Sequence, residues 1–200
     1  MSAADGPASP ATAALAGTVV TALRERAQTV ATAESLTGGL VGAALTDVPG
    51  ASAVYRGGLI VYATELKAAL AGVSDRTLAA DGPVAASTAA ELARGAATVC
   101  GADWGLATTG VAGPEPQDGH PVGQVYVAVA GPVSRAAGED RPVLVAELEL
   151  RGDRSAIRAQ TTRAVFRLLL DAVRGDDDDR AAAGQGATDR RGGPVSGAEI

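Results

Sequence analysis

The sequence is poor in the residues that most often carry enzyme chemistry. Its 200 residues include one cysteine, one histidine and one lysine, although lysine and arginine together number 17. A single cysteine excludes an internal disulfide, and a cysteine–histidine metal cage is not expected. His120 lies in a loop rich in proline and glycine, and no G-x-S-x-G motif is present to pair with it in a catalytic triad. The glycine motifs for phosphate and dinucleotide binding are also absent. Any catalysis must therefore use other groups.

Composition narrows the class of protein. Hydrophobic residues make up 46% of the chain and aromatic residues only 2%, which predicts a core of alanine, valine and leucine. The net charge of −6 argues against nucleic acids and anionic membranes as partners. The N-terminus has no basic region followed by a long apolar run, and no stretch is long enough to span a membrane. We therefore expect a cytoplasmic protein.

The hydrophobic pattern alternates between helical and strand-like segments, which predicts a single α/β domain. Helices are predicted at 13–27, 37–48, 64–72, 84–101 and 153–173, and strands at 29–34, 53–63, 103–110, 123–131 and 141–150. Short links between the last three strands favour a partly antiparallel, mixed sheet. We predict a flexible tail at 1–10, the domain at 11–174 and a disordered acidic, glycine-rich tail at 175–200.

Lys67, the only lysine, is a candidate general base. Lysine, unlike arginine, loses its proton near neutral pH when its surroundings lower its pKa. Lys67 follows Tyr62 in the segment "YATELK", where a strand gives way to a short helix that Thr64 is placed to cap and Gly72 to end. The Tyr62 hydroxyl is placed to relay a proton or to hold the lysine amine. The alternative is a solvated surface lysine.

The segment "TAESLTGG" at 32–39 places Ser35 where a strand turns into a helix. The N–H groups that follow it, up to Gly39, would open that helix and favour an anion, either a phosphate or the oxyanion of an acyl transfer. The alternative is that Ser35 or Thr37 is only a helix cap.

A third segment, "TTGVAGPEPQDGHPVG" at 108–123, is a strand end followed by a long loop. Thr109, Gly110 and Gly113 are placed there to offer backbone N–H groups to a ligand. Further along, Asp153 is placed to cap the last helix. Arg154 lies in the first turn of that helix, where the helix dipole disfavours a positive charge unless an anion lies nearby. This placement hints that Arg154 binds a ligand.

Together these stretches resemble one family. The segments 32–73, 108–130 and 150–170 resemble, in this order, the C-terminal domain of the competence/damage-inducible protein CinA, a family that includes stand-alone nicotinamide-nucleotide amidohydrolases. The resemblance implies a three-layer α/β/α sandwich and the deamidation of nicotinamide mononucleotide to nicotinic acid mononucleotide and ammonia. It implies no metal and no cofactor, and a homodimer or larger homo-oligomer.

The resemblance also implies roles for single residues. Ser35 would be the nucleophile, Lys67 the general base and Tyr62 an assistant. The pKa of Lys67 would be lowered by burial or by a neighbouring cation such as Arg56. The substrate-binding residues expected from the motifs and the resemblance together are Glu34, Thr37, Gly38, Gly39, Arg56, Thr109, Gly110 and Gly113.

The sequence departs from the family pattern at two places. Val84-Ala85 stands where many relatives have Val-Ser, and the loop 114–120 is less glycine-rich and less basic, with His120 where a lysine is common. Two other functions therefore stay open: an amidase acting on a different small amide, and a non-catalytic, partner-binding module linked to competence or DNA damage. The retained Ser35, Tyr62 and Lys67 favour an enzyme.

Overall fold

The computed structural model describes residues 9–132 and 142–188, with side chains up to residue 175. In chain order the elements are α1 (Pro10–Glu25), β1 (Val30–Glu34), α2 (Leu40–Thr46), a 3-10 turn (Ala51–Ala53), β2 (Tyr55–Ile60), α3 (Thr64–Ala71), α4 (Asp75–Asp81), α5 (Ala86–Cys100), β3 (Trp104–Gly110), β4 (Gln124–Ala130), β5 (Val143–Glu149) and α6 (Arg154–Thr188).

The five strands form one mixed sheet in the order β2-β1-β3-β4-β5. β1 pairs in parallel with β2 and β3, whereas β3–β4 and β4–β5 are antiparallel, as the short late links predict. The carboxyl ends of the three parallel strands therefore meet at one edge of the sheet, the usual place for a site in an open α/β sheet. The pairing of β1 with β2 slips by one residue at Arg56, which forms a β-bulge just before Gly57 and Gly58.

Helices cover both faces of the sheet, which gives the expected three-layer α/β/α sandwich. One face packs against α1, α2 and α6, through larger side chains such as Leu23, Leu106 and Phe166. The other packs against α5, with α3 and α4 beside it, and is lined largely by alanine and valine. A Cβ at Gly105 would collide with the Ala93 carbonyl group, so the small residues let α5 lie close on the sheet.

The first helices after β1 differ in detail from the prediction. α2 begins at Leu40 instead of 37, because 35–39 forms a turn. Thr64 is the first residue of α3 and not its cap, whereas Gly72 ends that helix in the left-handed conformation as expected. α4 was not predicted; it is a seven-residue helix capped by Ser74, which accepts a hydrogen bond from the Thr77 N–H.

The last helix is longer than predicted. α6 continues from Arg154 to Thr188, past the end expected at 173 and into the segment predicted as a tail from 175. An alanine-containing segment can continue a helix that the fold has already nucleated, because adding one residue costs less than starting a helix. Of the predicted tails at 1–10 and 175–200, residues 1–8 and 189–200 lie outside the described residues, whereas Ser9 already caps α1 and Pro10 begins it. No helix in the described part of the chain is long and apolar enough to cross a membrane.

Candidate active site

Ser35 lies where β1 turns into α2, as the sequence predicts. Its N–H extends the β1–β3 ladder by donating to the Thr108 carbonyl oxygen at 3.0 Å, and its own carbonyl oxygen accepts from the Gly38 N–H at 3.0 Å. Gly38 and Gly39 have positive φ angles, 58° and 96°, which lets the chain turn tightly here. The turn places the Ser35 side chain at the carboxyl edge of the sheet.

Lys67 is directed at Ser35 from α3. Its side chain is only 2% exposed, and its Nζ atom lies 3.3 Å from Ser35 Oγ. The same nitrogen lies 2.9 Å from the carbonyl oxygen of Val61 and 3.5 Å from that of Tyr62. Nζ is within donating distance of all three oxygens; in the neutral form of the amine, which has two N–H donors and one lone pair, donation to the two carbonyl oxygens would leave the lone pair facing Ser35 Oγ. Lys67 is therefore not a solvated surface lysine.

Burial lowers the pKa of Lys67, because the charged ammonium form loses its hydration inside the protein. The carboxylate of Glu65 opposes this with a smaller effect. The alternative that Arg56 lowers this pKa is wrong. Arg56 lies at the start of β2 and donates to the Cys100 carbonyl oxygen at 3.3 Å, away from the carboxyl edge of the sheet.

Ser35 and Lys67 open into a small cavity of about 100 Å³. Thr109, Gly110 and Gly113 also line it, so the structure brings the strand-end motif and the Ser–Lys pair together. The hydroxyl of Thr109 is directed away from a ligand, because it donates to the Pro83 carbonyl oxygen at 2.6 Å. Thr109 therefore forms part of the cavity wall, and its hydroxyl is not free to bind a ligand.

Glu34 has a structural role and does not line the cavity. Its buried carboxylate accepts from the N–H groups of Gly39 at 3.0 Å, Val41 at 3.0 Å and Gly42 at 2.8 Å. This carboxylate caps α2, so the start of that helix is already occupied by a negative charge. The N–H of Gly39 is therefore not free for a substrate anion, and the alternative that a serine or threonine caps α2 is wrong.

Thr37, Gly38, Gly39 and Arg56 also lie outside the cavity lining. The Thr37 hydroxyl is fully buried and shares a hydrogen bond of 2.7 Å with the Thr108 hydroxyl, which ties the turn to β3. Thr37, Gly38 and Gly39 shape the turn around Ser35, whereas Arg56 lies at the start of β2, and none of the four lines the cavity.

Tyr62 lines the cavity, but its hydroxyl is not directed at the Ser–Lys pair. The side chain is 58% exposed, and the hydroxyl accepts a hydrogen bond of 2.9 Å from Arg154. Only the backbone carbonyl of Tyr62 approaches Lys67. The structure thus gives no support for the expected proton relay through the tyrosine hydroxyl.

Two arginines of α6 contribute to the site. Arg154 lines the cavity, whereas Arg158, one turn later, donates to the carbonyl oxygens of Leu36 at 2.9 Å and Thr37 at 2.6 Å. Arg158 therefore holds the turn that follows Ser35. The sequence hinted at Arg154 through its unfavourable place in the first turn. Arg158 was missed, although its spacing of four from Arg154 puts both on one helix face.

The departures from the family pattern have visible consequences. Ala85 is the N-cap of α5 and makes no side-chain cap hydrogen bond, so the polar contact that a serine would supply is missing. In the loop, Glu115 and Gln117 line the cavity, and neither was among the expected site residues. His120 is bonded to the Gln124 side chain at 2.9 Å and lies outside the cavity lining.

The fold and site define an α/β protein with a buried serine–lysine pair at the carboxyl edge of a mixed sheet. Residues 12–173 match the CinA C-terminal domain family, and the chain belongs to that family, as the motifs predict. It is 43% identical over 174 residues to a CinA-like protein of Frankia casuarinae and 45% identical over 148 residues to a competence-damage inducible protein of Halothermothrix orenii. These matches cover 86% and 74% of this chain, but only 38% and 34% of the two relatives.

Solved structures agree with this assignment. The competence/damage inducible protein CihA of Agrobacterium tumefaciens superposes with a TM-score of 0.74 at 34% identity, covering 82% of this chain and 96% of that one. A CinA superfamily protein of Klebsiella pneumoniae superposes with a TM-score of 0.75 at 32% identity, covering 82% and 98%. The chain thus spans almost the whole of these structures, although it spans well under half of the curated relatives.

Proposed function

We propose that this protein is an amidohydrolase that converts nicotinamide mononucleotide and water to nicotinic acid mononucleotide and ammonia. The observation that carries the proposal is the buried Lys67 amine 3.3 Å from the Ser35 hydroxyl in a cavity. A buried lysine with a lowered pKa next to a serine is a known way to activate a nucleophile without histidine. The resemblance to nicotinamide-nucleotide amidohydrolases selects the substrate.

In the first half of the reaction, neutral Lys67 takes the proton from Ser35 Oγ. The oxygen attacks the carboxamide carbon, and the carbonyl oxygen becomes an oxyanion. Protonated Lys67 then gives its proton to the departing nitrogen, so the carbon–nitrogen bond breaks and ammonia leaves. The product of this half is an ester between the Ser35 oxygen and the nicotinoyl group.

In the second half, water replaces ammonia. Lys67 takes a proton from water, the hydroxide oxygen attacks the ester carbon, and the bond to Ser35 breaks. The serine oxygen recovers its proton from Lys67, and the product leaves as a carboxylic acid, which then loses its proton to the solvent. The pair returns to its starting protonation state, so the cycle needs only water as co-reactant.

The oxyanion needs hydrogen-bond donors other than the start of α2, because Glu34 already occupies the N–H groups of Gly39, Val41 and Gly42. Leu36 follows the nucleophile and lines the cavity. Within the described residues its N–H donates to no other group. We assign the Leu36 N–H to the oxyanion, since the residue after a nucleophile at a strand-to-helix turn is well placed for this role.

The test is ammonia release from nicotinamide mononucleotide by the purified protein in the presence of a chelator. We expect release by the wild type, and a loss of at least about 1,000-fold in kcat for Ser35→Ala and for Lys67→Ala. Ser52→Ala is the matched control, because Ser52 is an exposed serine outside the cavity lining, and it should keep wild-type activity.

Two failures would point to different functions. If the folded wild type releases no ammonia but a fluorophosphonate still labels Ser35, the chain is an amidase for another substrate. If neither reaction occurs, the site is not catalytic, and a partner-binding role replaces the proposal. We further propose that the enzyme works in the cytoplasm. We also propose that it forms a homodimer or a larger assembly, and light scattering of the purified protein tests this oligomeric state directly.

A further inference from the structure

The loop between β3 and β4 borders the active-site cavity, but few contacts hold its tip. Gln117 lines the cavity, and residues 114–119 are all exposed. Within the described residues, one hydrogen bond joins the segment 114–120 to the rest of the domain. It links His120 Nδ1 to the Gln124 side-chain oxygen at 2.9 Å. Because a segment with few buried contacts has little stability of its own, this bond is its main anchor.

The tip of the loop is a tight hairpin. Gln117 and His120 exchange two backbone hydrogen bonds, of 3.1 and 2.8 Å. Between them, Asp118 and Gly119 have positive φ angles of 51° and 83°, as in the two-residue turns that an aspartate–glycine pair favours. The two backbone bonds couple the ends of the hairpin. A group that holds the His120 ring therefore also places the Gln117 side chain at the cavity.

A carboxylate on the neighbouring strand fixes the orientation of the Gln124 amide. Gln124 Nε2 donates to Glu147 Oε1 at 2.9 Å and to the Tyr126 hydroxyl at 3.0 Å. The Tyr126 hydroxyl in turn donates to Glu147 Oε1 at 2.9 Å. The hydrogen bonds from Gln124 and Tyr126 lower the pKa of Glu147, so this carboxylate is ionised at neutral pH and only accepts. The amide therefore directs its nitrogen to Glu147 and its oxygen to His120.

The orientation of the amide determines which nitrogen of His120 carries a proton. A carbonyl oxygen only accepts, so His120 must donate from Nδ1 whether its ring is neutral or charged. The neutral ring is thus held as the Nδ1–H tautomer. We call Glu147, Gln124 and His120 the relay. It begins on β5, outside the cavity lining, and ends at the hairpin that carries Gln117.

We propose that the relay of Glu147, Gln124 and His120 positions the hairpin 117–120 against the substrate. This inference rests on the proposed function and adds three positioning residues for substrate binding. The cavity of about 100 Å³ is smaller than the roughly 300–1,000 Å³ of pockets that enclose a drug-sized ligand. Part of the nucleotide must therefore extend past the exposed mouth, where Gln117 lies. A hairpin already held in place lowers the ordering cost of binding.

The kinetic test compares two substitutions of His120. His120→Asn keeps a side-chain N–H donor near the place of Nδ1, whereas His120→Leu has none. For nicotinamide mononucleotide, His120→Leu should raise KM by about 5- to 10-fold and keep kcat within about twofold, because the Ser–Lys pair is untouched. His120→Asn should return KM to within about twofold of the wild-type value. An equal rise of KM in both variants would show that the donor to Gln124 is not what matters.

The far end of the relay is tested with two glutamates of β5. Glu147→Ala should raise KM by about 2- to 5-fold, because the Gln124 amide is then free to turn over. Glu149→Ala is the matched control, since it removes the same charge from an exposed side chain that has no hydrogen bond within the described residues. It should leave KM unchanged. His120→Leu/Glu147→Ala should cost no more than His120→Leu, and additive losses would mean that the two residues act separately.

NMR tests the relay without any substrate, because the chain has a single histidine and its ring signals need no assignment. In the wild type, the nitrogen shifts of the neutral ring should report the Nδ1–H tautomer. In Glu147→Ala the Nε2–H tautomer should appear as well, whereas Glu149→Ala should match the wild type. An Nε2–H ring in the wild type would overturn the relay.

The outcomes separate this inference from the proposed function. If the wild type releases ammonia but His120→Leu leaves KM unchanged, the positioning role is overturned and the enzyme function stands. If the wild type releases none, the proposed function fails, and backbone order parameters for 117–120 decide the role of the relay. A fall from about 0.85 to below about 0.6 in His120→Leu, with recovery in His120→Asn, supports positioning, and no change overturns it. Thermal melting of each variant checks that the fold is intact.

Discussion

The burial of Lys67 makes a prediction about stability that can be checked without any substrate. Methionine has a similar length, no charge and a flexible chain that fills irregular space, so Lys67→Met removes the titrating group with little change in packing. The two proteins should differ in how their free energies of unfolding depend on pH. The absolute difference also includes the lost hydrogen bond to Val61, so the pH dependence is the cleaner quantity.

The sign follows from the direction of the pKa shift. Burial lowers the pKa of Lys67 in the folded protein, whereas in the unfolded chain this pKa is about 10.4. Between these two values the unfolded chain binds one proton more than the folded protein, so the wild type gains stability as the pH rises. Below the folded-state pKa both forms are protonated, and the full penalty for burying the charge is present.

The magnitude is set by linkage. Relative to Lys67→Met, the wild type should gain up to about 1.4 kcal/mol for each pH unit between the two pKa values, and nothing below the lower one. Burial also raises the pKa of Tyr55 and Tyr126, but both tyrosines are present in the two proteins and cancel in the difference.

The assay is urea unfolding of both proteins at a series of pH values from about 5 to 10.5. The same titration should appear in catalysis if neutral Lys67 is the base, as proposed: kcat/KM should then rise tenfold per pH unit and level off at the folded-state pKa. A stability difference that stays flat over this range would refute the argument that burial lowers this pKa. The pH at which kcat/KM levels off should agree with the pH at which the stability difference begins to rise. A disagreement of more than about one pH unit would refute the assignment of Lys67 as the base.

The remaining predictions concern the frame around the pair. Arg158→Met removes both hydrogen bonds to the turn after Ser35. We expect kcat/KM to fall by about 10- to 100-fold and fluorophosphonate labelling of Ser35 to slow, while the pKa in the pH profile of kcat/KM stays unchanged. Unchanged labelling would contradict a positioning role for Arg158. Glu34→Gln should cost about 2–3 kcal/mol in urea unfolding, because its buried side chain caps α2, and a neutral result would mean that the cap is not needed. Ala85→Ser should add about 1 kcal/mol by capping α5; a lower melting temperature would show that the hydroxyl does not reach the helix N–H groups.

Much of the fold was predictable because local pattern and tertiary structure agree. Apolar runs such as the one at 103–110 become buried strands, and the amphipathic segment at 153–173 becomes the first part of α6. The short α4 was missed, because seven residues of mixed polarity carry too little periodicity to be distinguished from a loop.

The sequence by itself determined which residues are the candidates for catalysis: Ser35 at a strand end as the nucleophile, and Lys67, the only lysine in the chain, as the base. These follow from local order along the chain. Tertiary structure alone decided which groups are free to act. Glu34 reaches forward to fill the start of α2, and Arg154 meets Tyr62 across 92 positions of the chain. The physical reason is that burial and hydrogen-bond partners arise from distant segments, and no local pattern records them.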